Sequence, residues 1–255
     1  MDFSSLAGLI LSIASLAVGD ILEGGNPLQL VHLSSVIIII PTTLFAAMTA
    51  TNMTYVKSAF KELKVVFLGS KVNLNDTIKT LVEFSTIARR DGVLALESKV
   101  AQLDNDFMRE SLSMVVDGKD LKTIETEMEI QIEKLEEYYN SSAHYWILAA
   151  ESSPTFGLVG AVMGLTLALQ KLDNPPEMAA GIAGAFTATV TGIVCSYSIF
   201  GPFGNKLKAN SKDILTEKII ISEGVTGIAN GDNPRNLESK LLSYITPGNP
   251  KISQF

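Results

Sequence analysis

Thr155, Thr187, Thr189 and Thr191 put hydroxyls inside two apolar stretches, residues 146–170 and 178–204. A hydroxyl there has two uses. It donates back to the carbonyl four residues earlier, which only satisfies the helix, or it holds water along a narrow path. The carboxylates decide how far the second use can go. Residues 146–170 carry none besides Glu151 at their edge, and residues 178–204 carry none at all. An ionisable group at bilayer depth is costly and is found where ions move. If protons or cations cross here, the titrating acid must come from another chain, so this sequence offers half of an ion path.

Other chemistries are poorly represented. The run GLVGAVMG, 157–164, lacks the GxGxxG spacing and follows no strand. There is no phosphate loop, nucleophile elbow or paired-cysteine site, so the chain reads as a non-enzyme without a metal or cofactor. His32 and His144 are far apart, with no cysteine or carboxylate motif beside either. His32 is expected to anchor an interface, and His144 to pack or make a local hydrogen bond. The single cysteine, Cys195, lies in an apolar block and reads as a small space-filler. A net charge of −7 and the lack of a basic stripe argue against nucleic-acid binding.

The elements that would position these residues are mostly membrane helices. Of 255 residues, 47% are hydrophobic, and they concentrate in four blocks of spanning length: about 3–19, 28–50, 146–170 and 178–204. The first block is the weakest, but MDFSS has no basic start and no cleavage site follows, so it reads as a retained span and not a signal peptide. The links 20–27 and 171–177 are poor in Lys and Arg, whereas Lys57, Lys61 and Lys64, and later Lys206, Lys208 and Lys212, flank the other ends. Basic flanks stay in the cytoplasm. The expectation is an all-α integral membrane protein with both termini cytoplasmic. It has an outer hairpin at 1–54, a helical cytoplasmic domain at 55–145, an inner hairpin at 146–204 and a helical cytoplasmic tail at 205–255.

Within the second segment, Ile78, Leu81, Val82 and Ser85 share one helical face, and Gly92 interrupts the pattern. A further helix follows Asp120, a candidate cap, with Leu121, Ile124, Met128, Ile132 and Leu135 on one side. In the tail, Ile214, Leu215, Ile219 and Ile220 stay apolar, Pro234 opens a short helix, and 246–255 is expected to be loose.

Small residues line the inner hairpin. Gly160 and Gly164 form a GxxxG pair, while Gly181, Ala185 and Thr189, and Gly184, Ala188, Gly192 and Ser196, make two ridges at intervals of four. Such ridges let helix backbones approach closely. Two on one helix suit more than one partner, although a compact bundle would also explain them. Pro154 and Pro202 bracket the inner ends of the hairpin, where each removes a backbone donor and can bend or end a helix.

Five stretches carry a resemblance: VGDILEGGNPLQLVHLSS at 18–35, ARRDGVLALE at 88–97, PTFGLVGAVMGL at 154–165, AAGIAGAFTATVTG at 179–192 and GPFGNKLKA at 201–209. In this order, and with four spans around them, they resemble the MotA/PomA family of flagellar stator proteins over nearly the whole chain, in the form found in Helicobacter and Campylobacter. The resemblance implies an inner-membrane pentamer of such chains around a dimer of MotB, whose membrane helix supplies the missing aspartate. Ion flow would turn the pentamer and drive the rotor protein FliG. It also implies roles for single residues. Pro154 and Pro202 would couple conformation; Thr155, Thr189 and Phe186 would line the ion path; Arg89, Arg90 and Glu97 would contact the rotor. Gly160, Gly164, Gly181, Gly184, Ala185, Ala188 and Gly192 would pack the inner helices on partners. The implied ion is H+, and the hydroxyls leave Na+ open. Two other readings stand beside this one. A proton-driven energiser of the ExbB/TolQ type would lack the hairpin at 3–50, and a passive membrane scaffold would need no ion path.

Overall fold

The structure, a computed structural model, describes residues 3–30, 32–247 and 250–253. Among them every regular element is helical. The chain forms α1 (Phe3–Leu22), α2 (Leu33–Thr49), α3 (Met53–Lys61), α4 (Leu63–Leu68), α5 (Leu74–Asp91), α6 (Glu97–Val100), α7 (Asp106–Val116), α8 (Leu121–Leu169), α9 (Pro175–Val194), α10 (Gly201–Ala229) and α11 (Pro234–Leu242). Short 3-10 turns precede α2 and α6, and a π-helical stretch, Cys195–Phe200, joins α9 to α10. Three helical stretches are long and apolar enough to cross a membrane: Ser4–Leu22, part of Leu121–Leu169, and part of Pro175–Ala229. The apolar helix α2, Leu33–Thr49, is shorter.

Helix ends follow side-chain chemistry. Asn52, Asn105 and Asn233 each accept a backbone N–H at the start of α3, α7 and α11, with Pro234 in the first turn of the last. Asp120 accepts from the Thr123 N–H at 3.0 Å and also from its hydroxyl, and these bonds hold its carboxyl below the ordinary range. At the other ends, Gly69 and Gly92 take φ values of 77° and 85°, the left-handed region that favours glycine.

The chain divides into two compact units that do not follow the four sequence segments. The first comprises Met1–Gly69 and Tyr138–Asn210; the second comprises Ser70–Glu137 and Ser211–Phe255. Helices α3 and α4 therefore belong with the apolar helices. The reason is aromatic packing around Trp146, which meets Phe60, Phe200 and Phe203 at ring distances of 5.0, 6.1 and 5.5 Å and donates its indole N–H to Ala59 O at 3.2 Å. Cys195 is buried in this cluster, as a space-filler should be. Tyr138 donates to the buried Glu62 at 2.9 Å; burial and this bond push the phenol up to about 12.

The second unit is an ordinary amphipathic assembly. Ile78, Leu81, Val82 and Ser85 are all buried, at 0–2% exposure, against Leu96, Leu112, Ile124, Met128, Ile220, Val225 and Leu237. The face expected on the start of α8 holds at Ile124 and Met128, but Leu121, Ile132 and Leu135 are only half-buried and Ile219 of α10 is exposed. Residues 250–253 are not loose: Asn75 exchanges hydrogen bonds with Pro250 and Ile252, and Ser253 bonds Glu238.

Candidate ion path on the inner hairpin

Helices α8 and α9 touch along glycine and alanine. A Cβ added at Gly192 would lie 2.8 Å from Ser153 O and 2.9 Å from Gly157 Cα. One at Gly164 would lie 3.0 Å from Ala185 N and Gly181 O, and one at Gly160 would lie 3.0 Å from Ala188 Cβ. Gly181 faces Ala168 at similar range. These contacts lie within the chain. Of the small residues expected to pack on partners, Gly160, Gly164, Gly181, Ala185, Ala188 and Gly192 line this contact within the chain, and Gly184 faces the His32 ring 3.8 Å from its would-be Cβ. GxxxG spacing marks a close approach and says nothing of whether the other helix belongs to the same chain.

Two serines fasten the contact. Ser153 donates to Gly192 O at 2.9 Å, and Ser196 donates to Ala150 O at 2.7 Å. The second bond has a specific cause. Pro154 has no N–H, so the carbonyl four residues earlier, that of Ala150, loses its helical donor; the Ser196 hydroxyl replaces it. Neither proline ends a helix: Pro154 lies inside α8 and Pro202 is the second residue of α10. The chain reaches Pro202 through the π segment, in which Gly201 N–H bonds back five residues to Ser196 O. Single-turn π segments inside helices are frequent at functional sites. Sequence reasoning misses the serine bonds and the π segment; the missing N–H of Pro154 is the available clue to the first. It also misses Pro41, inside α2.

With small residues turned inward, the hairpin shows its larger side chains outward. Leu158, Val162, Met163, Leu169 and Ile193 are exposed, as are Thr155 and Phe186, the latter at 69%. Thr189 is half-buried and donates to Ala185 O at 3.3 Å; Thr187 and Thr191 donate to Gly184 O and Thr187 O. Backbone satisfaction therefore uses the hydroxyl hydrogens and leaves oxygen lone pairs as acceptors. Phe186 and Thr189, three residues apart, share a side of α9. Thr155, Phe186 and Thr189 thus sit on the hairpin's outer surface and do not enclose a channel within one chain.

His32 caps α2 with an extended backbone and bonds Ser34 through Nδ1 at 2.7 Å. It borders a groove of about 760 Å³ with Lys171 and Glu177, which pair at 3.0 Å across the α8–α9 link. His144 is exposed and makes no hydrogen bond among the described residues, unlike the packed or bonded residue expected.

The basic patch lies at the end of α5. Arg89 and Arg90 are exposed in its last turn, where cations favour the helix dipole. The helix stops there, so Glu97 does not continue the same face; it opens α6 after the Gly92 turn and a 3-10 segment. Arg90 grips its neighbour Asp91 through Nε at 2.9 Å and Nη2 at 2.7 Å, and this hydrogen bonding holds the Asp91 carboxyl below the carboxylate range. Arg89 has no ion pair among the described residues.

Residues 99–219 match the MotA/TolQ/ExbB proton channel family. Motility protein A of Helicobacter pylori is 68% identical over 255 residues, covering 100% of this chain and 99% of that protein, and motility protein A of Bacillus subtilis is 35% identical over 96% and 91% of the two chains. The solved structure of Campylobacter jejuni MotAB superposes with a TM-score of 0.97 at 56% identity, covering all of both chains. That of the flagellar MotAB stator complex from Bacillus subtilis superposes with a TM-score of 0.88 at 34% identity, covering 96% of each. Full-length relatedness of this order, with the same helices in the same order, makes the chain a member of the motility protein A family.

Proposed function

We propose that this chain is the ion-conducting stator subunit of a bacterial flagellar motor. Five copies surround two copies of a MotB-type partner in the inner membrane, and ion flux past the partner's acid turns the ring against the rotor protein FliG. The observation that carries this reading is that Thr155 and Phe186 are exposed, and Thr189 half-buried, on a hairpin that has no acid at depth. Such a surface supplies oxygen acceptors and an apolar wedge to an ion whose titrating group stands on another chain. Relatedness to motility protein A over the whole chain includes the first hairpin, which an ExbB/TolQ-type energiser would lack. The translocated ion in this reading is H+.

The topology belongs to the same proposal. Spans form around α1, α2, the second half of α8 and α9 with its π extension; the termini and the second compact unit are cytoplasmic. Cysteines placed at Asn26 and Asn174 should react with an impermeant reagent from outside, and those at Asp117 and Lys240 only after the membrane is opened. Outside labelling at Asp117 would overturn the arrangement.

Thr189→Val tests the path. The substitution keeps β-branching and volume and removes the oxygen. In a strain whose only stator gene is this one, complex recovery from membranes should be unchanged and single-cell rotation should fall sharply. Wild-type speed with an intact complex would reduce Thr189 to a packing residue.

A further inference from the structure

We propose that Glu151 is the proton-accepting group at the inner end of the ion path; the proposal rests on the stator reading above. Its first support is scarcity. Between Glu137 and Asp173 the chain has one carboxylate, Glu151, and between Glu177 and Asp213 it has none. A proton that leaves the partner's acid along this hairpin meets no other carboxylate of the chain before the inner helix extensions.

The second support is position. Glu151 stands one helical turn before Thr155 on the same side of α8. It lines a cavity of about 260 Å³ together with Pro154, Ser196, Tyr197, Gly201 and Asn205. Tyr197 follows Phe186 by three turns in sequence and is 76% exposed, so the side of α9 that carries the aromatic wedge leads toward this cavity. The space admits several waters, each of which takes about 30 Å³.

The third support is which polar groups in the cavity are already engaged. The Ser196 hydroxyl is committed to Ala150 O, the carbonyl that Pro154 leaves without a helical donor. Glu151 itself is exposed and makes no hydrogen bond or ion pair among the described residues. Asn205 of α10 lines the same cavity, and its amide can donate to the carboxylate directly or through a water. A fixed proline site, a cavity beside it and an uncommitted carboxylate together make a receiving station.

The step balances without any oxidant or reductant. A hydronium reaching the cavity gives its proton to a Glu151 oxygen, so one O–H bond breaks in the hydronium, one forms on the carboxyl, and water remains. The carboxylic acid then returns that proton to cytoplasmic water and the carboxylate is restored.

The test uses the full complex in cells that have this gene as their only stator gene, with bead rotation read at near-zero load, where ion transit limits speed, and at stall. Positioned proton acceptors contribute about 10²–10⁴-fold to transfer. Glu151→Gln should therefore lower near-zero-load speed by at least about tenfold with complex recovery intact, and Glu151→Asp should restore most of it. Asn205→Leu, which leaves Glu151 in place but removes the amide and makes that part of the cavity wall apolar, should also slow near-zero-load rotation. Wild-type speed in either Glu151→Gln or Asn205→Leu overturns the proposal, as does an Asp variant as slow as Gln with the complex intact. If the unmodified gene fails to restore rotation at all, it is the stator reading that fails.

Discussion

The second compact unit and the inner hairpin bury opposite kinds of residue. In the second unit Ile78, Leu81, Leu112 and Ile220 are sealed inside, and most charged side chains, such as Lys122, Glu125 and Glu129, face out. In the hairpin Gly157, Ala161, Ala185, Ala188 and Gly192 are inside, while Leu158, Val162, Met163 and Phe186 face out. In water, burying apolar area is favourable by about 25 cal/mol per Å², so large side chains are drawn to the core. Among lipid tails or neighbouring apolar helices that drive is absent, and close van der Waals approach between backbones decides the packing. The contrast also separates labour. The second unit holds a shape, and the hairpin offers a surface that other chains complete.

The contrast breaks most sharply at a sealed leucine. Leu81→Ala, at a position with no exposure, should destabilise the second unit by about 2–5 kcal/mol. The measurement is thermal or denaturant unfolding of the purified complex; a loss well below that range would mean the core is loosely packed. Next, Gly192→Leu forces apart two backbones that leave no room for a Cβ at that glycine, an overpacking cost of about 1–3 kcal/mol. Val190→Leu, two residues away and 39% exposed, is the companion. Recovery of intact complex should fall for Gly192→Leu and hold for Val190→Leu. Equal loss in both would show that the outward side of α9 is packed against protein along its length and not only at Phe186 and Thr189.

The smallest stability effect, with a large functional one, is expected at the basic patch. Arg89→Glu with Arg90→Glu changes exposed side chains in a last helical turn, so the second unit should stay within about 0.5 kcal/mol of wild type. Torque should fall at high viscous load, because complementary charge steers repeated, reversible encounters with a rotor surface. Because Asp91 already pairs Arg90, Arg89→Glu alone should account for most of the loss. Normal swimming of the double variant at every load would leave the patch a solvated helix end.

Much of this was legible in the residues. The face through Ile78, Leu81, Val82 and Ser85 was set by helical spacing, the Asp120 cap by its place before a run of helix formers, and the break at Gly92 by glycine's access to positive φ. Each is local, and local rules reach a few residues along the chain. The five quoted stretches carried the family because their order and spacing are themselves sequence properties.

Other features needed the folded chain. Gly181, Ala185, Ala188 and Gly192 announce a close helix contact, but only the tertiary structure showed that the other helix is this chain's own α8. The proline at 154 announces an orphaned carbonyl; that Ser196, 46 residues away, donates to Ala150 is a fact of assembly. The π segment before Pro202 and the place of α3 and α4 in the first compact unit are likewise products of packing. The physical reason is the same in each case. Residue type and spacing determine which groups need a partner and which side of a helix is smooth or apolar. Which partner they find depends on contacts distant in sequence, formed when the helices come together.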